Sequence, residues 1–205
     1  MTTRQRHRQH GNPLAIRGPL EVPDWLEIFG RRAPFAIDVG FGPGMFLVEL
    51  ARQHPEWNVL GIEIRTHWVA DVRVAAAAAG VSNLHALLGN ANEHLEDLVP
   101  DNSTAFVSLN FPDPWFKRRH RKRRVLRVDW LDRVAAKLMA GGELHYMTDF
   151  QPAAQEALKL LEAHPAFEGS GGFAAASTTG IPSEREETHL RRGHAVYRLL
   201  YRRRG

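Results

Sequence analysis

Five short apolar runs (residues 35–39, 58–63, 84–88, 104–110 and 143–147) alternate with stretches whose apolar residues recur at helical spacing. That alternation constrains the fold more than any other feature. Strand–helix repeats of this length specify an α/β, doubly wound, mostly parallel sheet with helices on both faces. A polar residue stands at or just beyond the end of each run: Asp38, Glu63, Asn90, Asp113 and Asp149. In such sheets ligands bind outside the carboxyl ends of the strands, near the point where strand order reverses. The five polar positions therefore predict the site.

The helical segments are expected at Pro23–Phe29, with Pro23 in the first turn, and at Met45–Arg52, Trp68–Gly80, Glu93–Leu98, Asp129–Met139 and Pro152–Ala163. Gly141-Gly142 reads as a turn before the fifth strand, and Ala195–Tyr201 has the β-rich pattern of a last strand. The segment from Phe173 has no clear pattern. With 205 residues, no internal repeat and no low-complexity linker, the chain fits one domain over 21–205, preceded by a flexible basic arm over 1–20.

The chain has no cysteine, which excludes disulfides and thiolate metal sites. No apolar run reaches spanning length, and the arginine-rich start lacks the apolar core of a signal peptide. The expectation is a soluble cytoplasmic protein, with a transit peptide as the weaker alternative. Net charge is only +4, but the cations cluster at Arg4–Arg8, Lys117–Arg124, Arg191-Arg192 and Arg198–Arg204. Clustering of this kind points to a polyanionic partner. Nothing in the sequence demands an obligate protein partner, and a monomer or a homodimer would suit it equally.

Gly40-Phe41-Gly42-Pro43-Gly44 separates the first strand from the first long helix. Gly40 and Gly42 let backbone approach a ligand closely. Glu63 closes the next strand about 20 residues on, the position from which an acid accepts from ribose hydroxyls. The third glycine arrives one position too early for the dinucleotide fingerprint, and Pro43 removes an amide that a pyrophosphate would use. Asp38 would repel a pyrophosphate but suits a cation, such as the amino group of a methionine moiety. S-adenosyl-L-methionine is therefore the better reading than a nicotinamide cofactor. Asn90-Ala91 would meet the adenine edge, with a left-handed turn residue as the alternative for Asn90.

Phe111-Pro112-Asp113-Pro114-Trp115 follows the fourth strand and runs straight into Lys117, Arg119, His120, Arg121, Lys122, Arg123 and Arg124. The prolines stiffen an elbow that presents Asp113, and the cations that follow can hold phosphates. Trp115 is expected to pack in the core and His120 to contact phosphate or backbone. His145, inside a strand, reads as structural. Metal ligation lacks partners at suitable spacing, so no metal is expected.

Taken together, Asp38-Val39-Gly40-Phe41-Gly42, Gly61-Ile62-Glu63, the elbow with its basic tail, Thr148-Asp149, Ser183-Glu184-Arg185-Glu186 and Gly193-His194 resemble the tRNA (guanine-N7-)-methyltransferases. The segment Arg8-Gln9-His10 with Asn12-Pro13-Leu14 is similar to an N-terminal signature of some members. The resemblance spans nearly the whole chain, and the elbow is its most specific part. It implies a class I S-adenosylmethionine-dependent fold, with seven strands of which the last is antiparallel. It implies methyl transfer to N7 of a variable-loop guanine in tRNA, position 46. Asp38, Gly40, Gly42, Glu63, Asn90 and Asp113 would contact the cofactor, and Asp113 would be catalytic. Lys117, Asp149, Ser183, Glu184, Arg185 and Glu186 would hold the substrate, and Arg119 to Arg124 the RNA. Three positions depart from the pattern: Asn90 stands where an aspartate is usual, Ser183 replaces a threonine, and Arg185 stands where an aromatic is common. The leader is also short, so fewer RNA contacts are expected from it.

Guanine N7 carries an in-plane lone pair and no proton, so it needs alignment rather than a general base. Positioning of this kind supplies roughly 7–11 kcal/mol at best. Asp113 could hold the cofactor or base and stabilise charge arriving on the ring, or accept from guanine N1–H and N2–H. Asp149 and Glu186 are rivals for that base-reading role. Two competing readings of the chain are a tRNA-binding protein without turnover and a nicotinamide-dependent oxidoreductase.

Overall fold

The run Phe35–Val39 becomes β1, buried along its whole length, because sheet flanks it on both sides and helices cover both faces. It lies in a computed structural model that describes residues 12, 15–16, 18–115 and 123–205. The other strands are β2 (Asn58–Glu63), β3 (Leu84–Leu88), β4 (Thr104–Asn110), β5 (Leu138–Thr148), β6 (Phe167–Gly169) and β7 (Tyr197–Arg203). Seven strands pair in the order β3-β2-β1-β4-β5-β7-β6. The first five are parallel and β7 runs antiparallel to both its neighbours. The order reverses between β1 and β4, which opens the ligand crevice there.

The helices are α1 (Trp25–Phe29), α2 (Met45–Gln53), α3 (Thr66–Ala78), α4 (Ala91–Leu98), α5 (Val128–Lys137), α6 (Gln151–Ala163) and α7 (Glu184–Arg191). Period-two alternation divides the core. Ile37, Val39, Leu60 and Ile62 join Leu95 of α4, Trp130 and Val134 of α5 and Leu161 of α6 on one face. Ala36, Val59 and Phe106 join Leu47 and Leu50 of α2 and Val69 and Val72 of α3 on the other. Asp38, between Ile37 and Val39, points to the α2–α3 side.

Several boundaries differ from expectation for local reasons. Pro23 precedes α1, and Asp24 is its N-cap, accepting from the amides of Leu26 (2.8 Å) and Glu27 (3.3 Å). α3 starts at Thr66 and closes on Gly80 at φ 67°, with the paired bonds Val81 N–H to Ala76 O and Gly80 N–H to Ala77 O. Gly141-Gly142 is not a turn ahead of β5. The strand begins at Leu138, and the glycines absorb a register jump from Thr104↔Leu138 to Phe106↔Glu143. β6 and α7 fall in segments without a sequence assignment, and β7 lies two residues later than expected. Much of the 1–20 arm lies outside the described residues. Its described end is docked, with Leu20 against the core and Gly18 O bonded to His94 Nε2 at 3.0 Å.

Candidate active site

The strand tips at the reversal point enclose a cavity of about 750 Å³, within the usual range for small-molecule sites. Asp38, Glu63, Asn90, Asp113, Asp149 and Ser183 all line it, so the sequence-predicted positions converge on one space. The glycine turn forms its floor. Gly40 and Gly42 take φ 70° and 57°, with open space where a Cβ would stand. Gly44 serves packing instead. At φ 84° it heads α2, and a Cβ there would come within 1.9 Å of Val72 Cγ2 of α3. The early third glycine is therefore explained by the approach of two helices.

Asp38 is 1% exposed and accepts from Ser108 Oγ at 2.7 Å on neighbouring β4. Burial raises its pKa to about 7; the Ser108 bond opposes this and the nearby Glu63 charge adds to it. Glu63, 3% exposed, accepts from Gly42 N–H (3.1 Å) through one oxygen and from Ile64 and Arg65 N–H (2.8 and 3.1 Å) through the other. Each oxygen of a carboxylate has two lone pairs, so the one facing Gly42 keeps a second for a ligand. Asn90 has extended backbone (φ −110°) and caps α4 by accepting from Asn92 N–H at 3.1 Å, so the left-handed alternative is ruled out. Its own N–H donates to His94 Nδ1 at 3.1 Å.

These features fit S-adenosylmethionine. The buried carboxylate of Asp38 is in need of a cation. Glu63 lines the cavity with a lone pair to spare for a hydroxyl, Gly40 and Gly42 leave the floor open, and the buried Asn110 Nδ2 at the β4 tip has no acceptor among the described residues.

The elbow after β4 carries two non-glycine residues at positive φ, Phe111 (48°) and Trp115 (43°). Strain of this sort is worth about 1–3 kcal/mol per residue and persists only where surroundings enforce it. Asp113 sits between them, half-buried against the cavity. Trp115 is not in the core as expected. It lies half-buried on the cavity wall with the Arg123 guanidinium 4.9 Å from its ring centre. Lys117, Arg119, His120, Arg121 and Lys122 lie outside the described residues. Arg123 faces the cavity. Arg124, assigned to RNA by its place in the basic run, instead turns inward, donating from Nε to Pro114 O at 2.9 Å and from Nη1 to Glu156 at 2.5 Å. His145 is structural as expected, bridging Glu143 (2.9 Å) and Thr178 (2.7 Å).

Asp149 follows β5 and is met by α7. Arg185 Nη2 lies 3.2 and 3.3 Å from its two oxygens, and His189 Nε2 lies 3.1 Å from Oδ2. The Phe111 ring lies beside both, with the Arg185 guanidinium 5.3 Å and the near-parallel His189 ring 6.0 Å from its centre. The aromatic missing at position 185 is thus answered by Arg185 stacking on Phe111. Ser183 caps α7 through Glu186 N–H at 3.2 Å. Glu186 itself corrects an expectation: it is 2% exposed, does not line the cavity, and pairs with Arg198 (2.6 and 2.7 Å), pinning α7 to β7. Sequence reasoning missed Thr188, His189 and Arg192, which share the cavity face with Arg185. The signals were present, in a Ser-x-x-Glu capping box followed by polar residues at i, i+3, i+4 and i+7 from Arg185.

A family model described as "Putative methyltransferase" matches residues 32–199. A tRNA (guanine-N(7)-)-methyltransferase of Trichormus variabilis is 37% identical over 97% of this chain and 96% of its own length. One of Alkalilimnicola ehrlichii is 42% identical over 92% and 81%. The chain belongs to the tRNA (guanine-N7-)-methyltransferase family. Solved structures agree on the fold. The 16S rRNA methyltransferase KamB superposes with a TM-score of 0.65 at 16% identity, covering 91% of this chain and 96% of that one. The aminoglycoside resistance methyltransferase NpmB1 gives 0.57 at 20%, over 86% and 90%. The sheet with its antiparallel β7 is accordingly the class I S-adenosylmethionine-dependent methyltransferase architecture. Among the described residues no helix is long and apolar enough to cross a membrane.

Proposed function

We propose that this protein transfers the methyl group of S-adenosylmethionine to N7 of guanine 46 in the variable loop of tRNA. The observation that carries the reading is the convergence of Asp38, Glu63, Asp113 and Asp149 on one cavity, which Trp115 and Arg123, at either end of most of the basic run in sequence, also line. A methyl already activated on a sulfonium is what the cofactor supplies. The protein's part is placement. Asp38 holds the cationic amino group, Glu63 the ribose hydroxyls, and Asn90 with Ala91 the adenine edge. Asp113, on its strained elbow, stands where the cofactor meets the acceptor, and stabilises positive charge as it passes from sulfur to the purine. Asp149, with Ser183 and Arg185 nearby, receives the N1–H and N2–H donors of guanine, while buried Glu186 anchors the helix that brings them.

A loop acceptor follows from the chemistry. N7 lies on the major-groove edge, which A-form helices bury deeply, so the base must be unstacked. Residues 21–205 act as one catalytic domain. The cations of residues 117–123 and of the arm over 1–20 grip the backbone. Incubation with methyl-labelled S-adenosylmethionine and unmodified tRNA, followed by mapping of the label, tests this. Label at N7 of guanine 46 supports it, whereas label elsewhere, or tight tRNA binding without label, overturns it.

A further inference from the structure

Hydrogen bonds pin the elbow that carries Asp113 on either side of it. Phe111 N–H donates to Met147 O of β5 at 2.7 Å before it, and Arg124 Nε donates to Pro114 O at 2.9 Å after it. Between these pins, Pro112 and Pro114 have no amide to donate. A partly open pocket of about 30 Å³ is lined by Pro112, Asp113 and Pro114 together with Tyr146, Ala153 and Glu156, so the elbow is not packed solidly there. A segment with φ of 48° and 43° at its ends needs its surroundings to hold it. Here the second pin is a side chain. Arg124 spans from the elbow to Glu156 of α6, with its Nη1 2.5 Å from the carboxylate, and its own carbonyl accepts from Asn92 Nδ2 of α4 at 3.4 Å.

We propose that Arg124 is a positioning residue, a strut that with Glu156 fixes the elbow so that Asp113 faces the reacting atoms, and that it is not a phosphate contact. The proposal rests on the reading of Asp113 given above. It separates the last arginine of the basic run from its neighbours. A guanidinium bridges two acceptors in fixed directions, whereas an ammonium keeps the charge but not the fork. Arg124→Lys therefore distinguishes position from charge.

The test measures steady-state methylation of unmodified tRNA, the salt dependence of tRNA binding, and hydrogen exchange of the 111–115 segment, for wild type, Arg124→Lys, Arg124→Ala, Glu156→Ala and the double alanine variant. The expected result is a 10–100-fold fall in kcat for each single variant, the scale set by misplacement of about 1 Å. KM for tRNA stays within about twofold, and the double variant is no worse than the singles. Exchange of the segment is faster than in wild type at an unchanged thermal midpoint. Wild-type kcat in Arg124→Lys, or a salt slope that falls by about 1 in Arg124→Ala with kcat intact, would identify a phosphate contact and overturn the strut. Wild type that leaves tRNA unlabelled would overturn the functional reading instead. The exchange arm decides the strut even then, because it needs no turnover, and unchanged exchange rejects it.

Discussion

Replacing Asp38 by asparagine should stabilise the empty protein and weaken its hold on the cofactor. The magnitude comes from burial. The carboxyl, 1% exposed and bonded to Ser108 at 2.7 Å, titrates near 7 in the fold against 3.8 as a free group. About three pH units at roughly 1.4 kcal/mol each put the penalty for ionising it on the order of 4 kcal/mol. The folded value lies above the unfolded one. Its contribution to stability is therefore fully present below about pH 4 and is lost as pH rises through 7. An amide at this position does not ionise and escapes that loss. At pH 8 the thermal midpoint of Asp38→Asn should therefore rise by several degrees, at roughly 2–4 °C per kcal/mol for a chain of this size. Binding runs the other way. A cationic amino group needs the ionised carboxylate, so below pH 7 the proton must leave first and affinity should fall up to tenfold per pH unit. Above pH 7 it should level off. Calorimetric titration with S-adenosylmethionine between pH 5.5 and 8.5, in buffers of different ionisation enthalpy, reads both affinity and proton release. A wild-type affinity that is flat from pH 5.5 to 7, or an Asp38→Asn variant with the same pH slope, would refute the assignment of Asp38 to the amino group.

Asp113→Ala should abolish turnover with circular dichroism and thermal midpoint unchanged; full activity in that variant rejects its catalytic assignment. Arg121→Ala with Lys122→Ala should weaken tRNA binding and flatten its dependence on salt by about 2 in slope, and an unchanged slope places the RNA elsewhere. Gly44→Ala meets Val72 Cγ2 at 1.9 Å at a φ of 84°, so denaturant unfolding should show a loss of about 2–4 kcal/mol. Arg198→Leu leaves Glu186 buried without its cation, and should lower stability by about 3–5 kcal/mol in the same assay.

The sheet was legible because its strands obey a local rule. Each is a short apolar run closed by a polar residue, and the alternation with helices leaves few topologies. β6 was illegible for the converse reason: Phe167–Gly169 has three residues, and the antiparallel pairing with β7 that makes it a strand is not a local property. The positions of Asp38, Glu63, Asn90, Asp113 and Asp149 could be read from the chain because strand ends fix them. Side-chain direction could not. Arg123 and Arg124 are adjacent in one cationic run, yet one faces the cavity and the other the underside of the elbow. Ser183-Glu184-Arg185-Glu186 was found as a motif but not as the first turn of a helix. That turn sends Arg185 to the cavity and Glu186 to Arg198. Charge alone does not say which acid is a ligand and which is a buried tie.

The two ends of the cavity differ in how their carboxylates are answered. Asp38 meets a hydroxyl, and burial keeps it near neutrality; Asp149 meets a guanidinium and an imidazole. A cation entering the site gains most at Asp38. At an effective dielectric of about 20, one opposite charge at 4 Å is worth about 4 kcal/mol, comparable to the penalty burial imposes on that group. At Asp149 the same cation would compete with partners already in place, whereas a neutral base edge with two N–H donors can share the remaining lone pairs. On the proposed reading the site sorts its ligands by charge before contact geometry matters, with the cationic donor at the glycine turn and the neutral acceptor under α7. Asp113 lines the same cavity, and on that reading it meets the positive charge as it passes from sulfur to the purine.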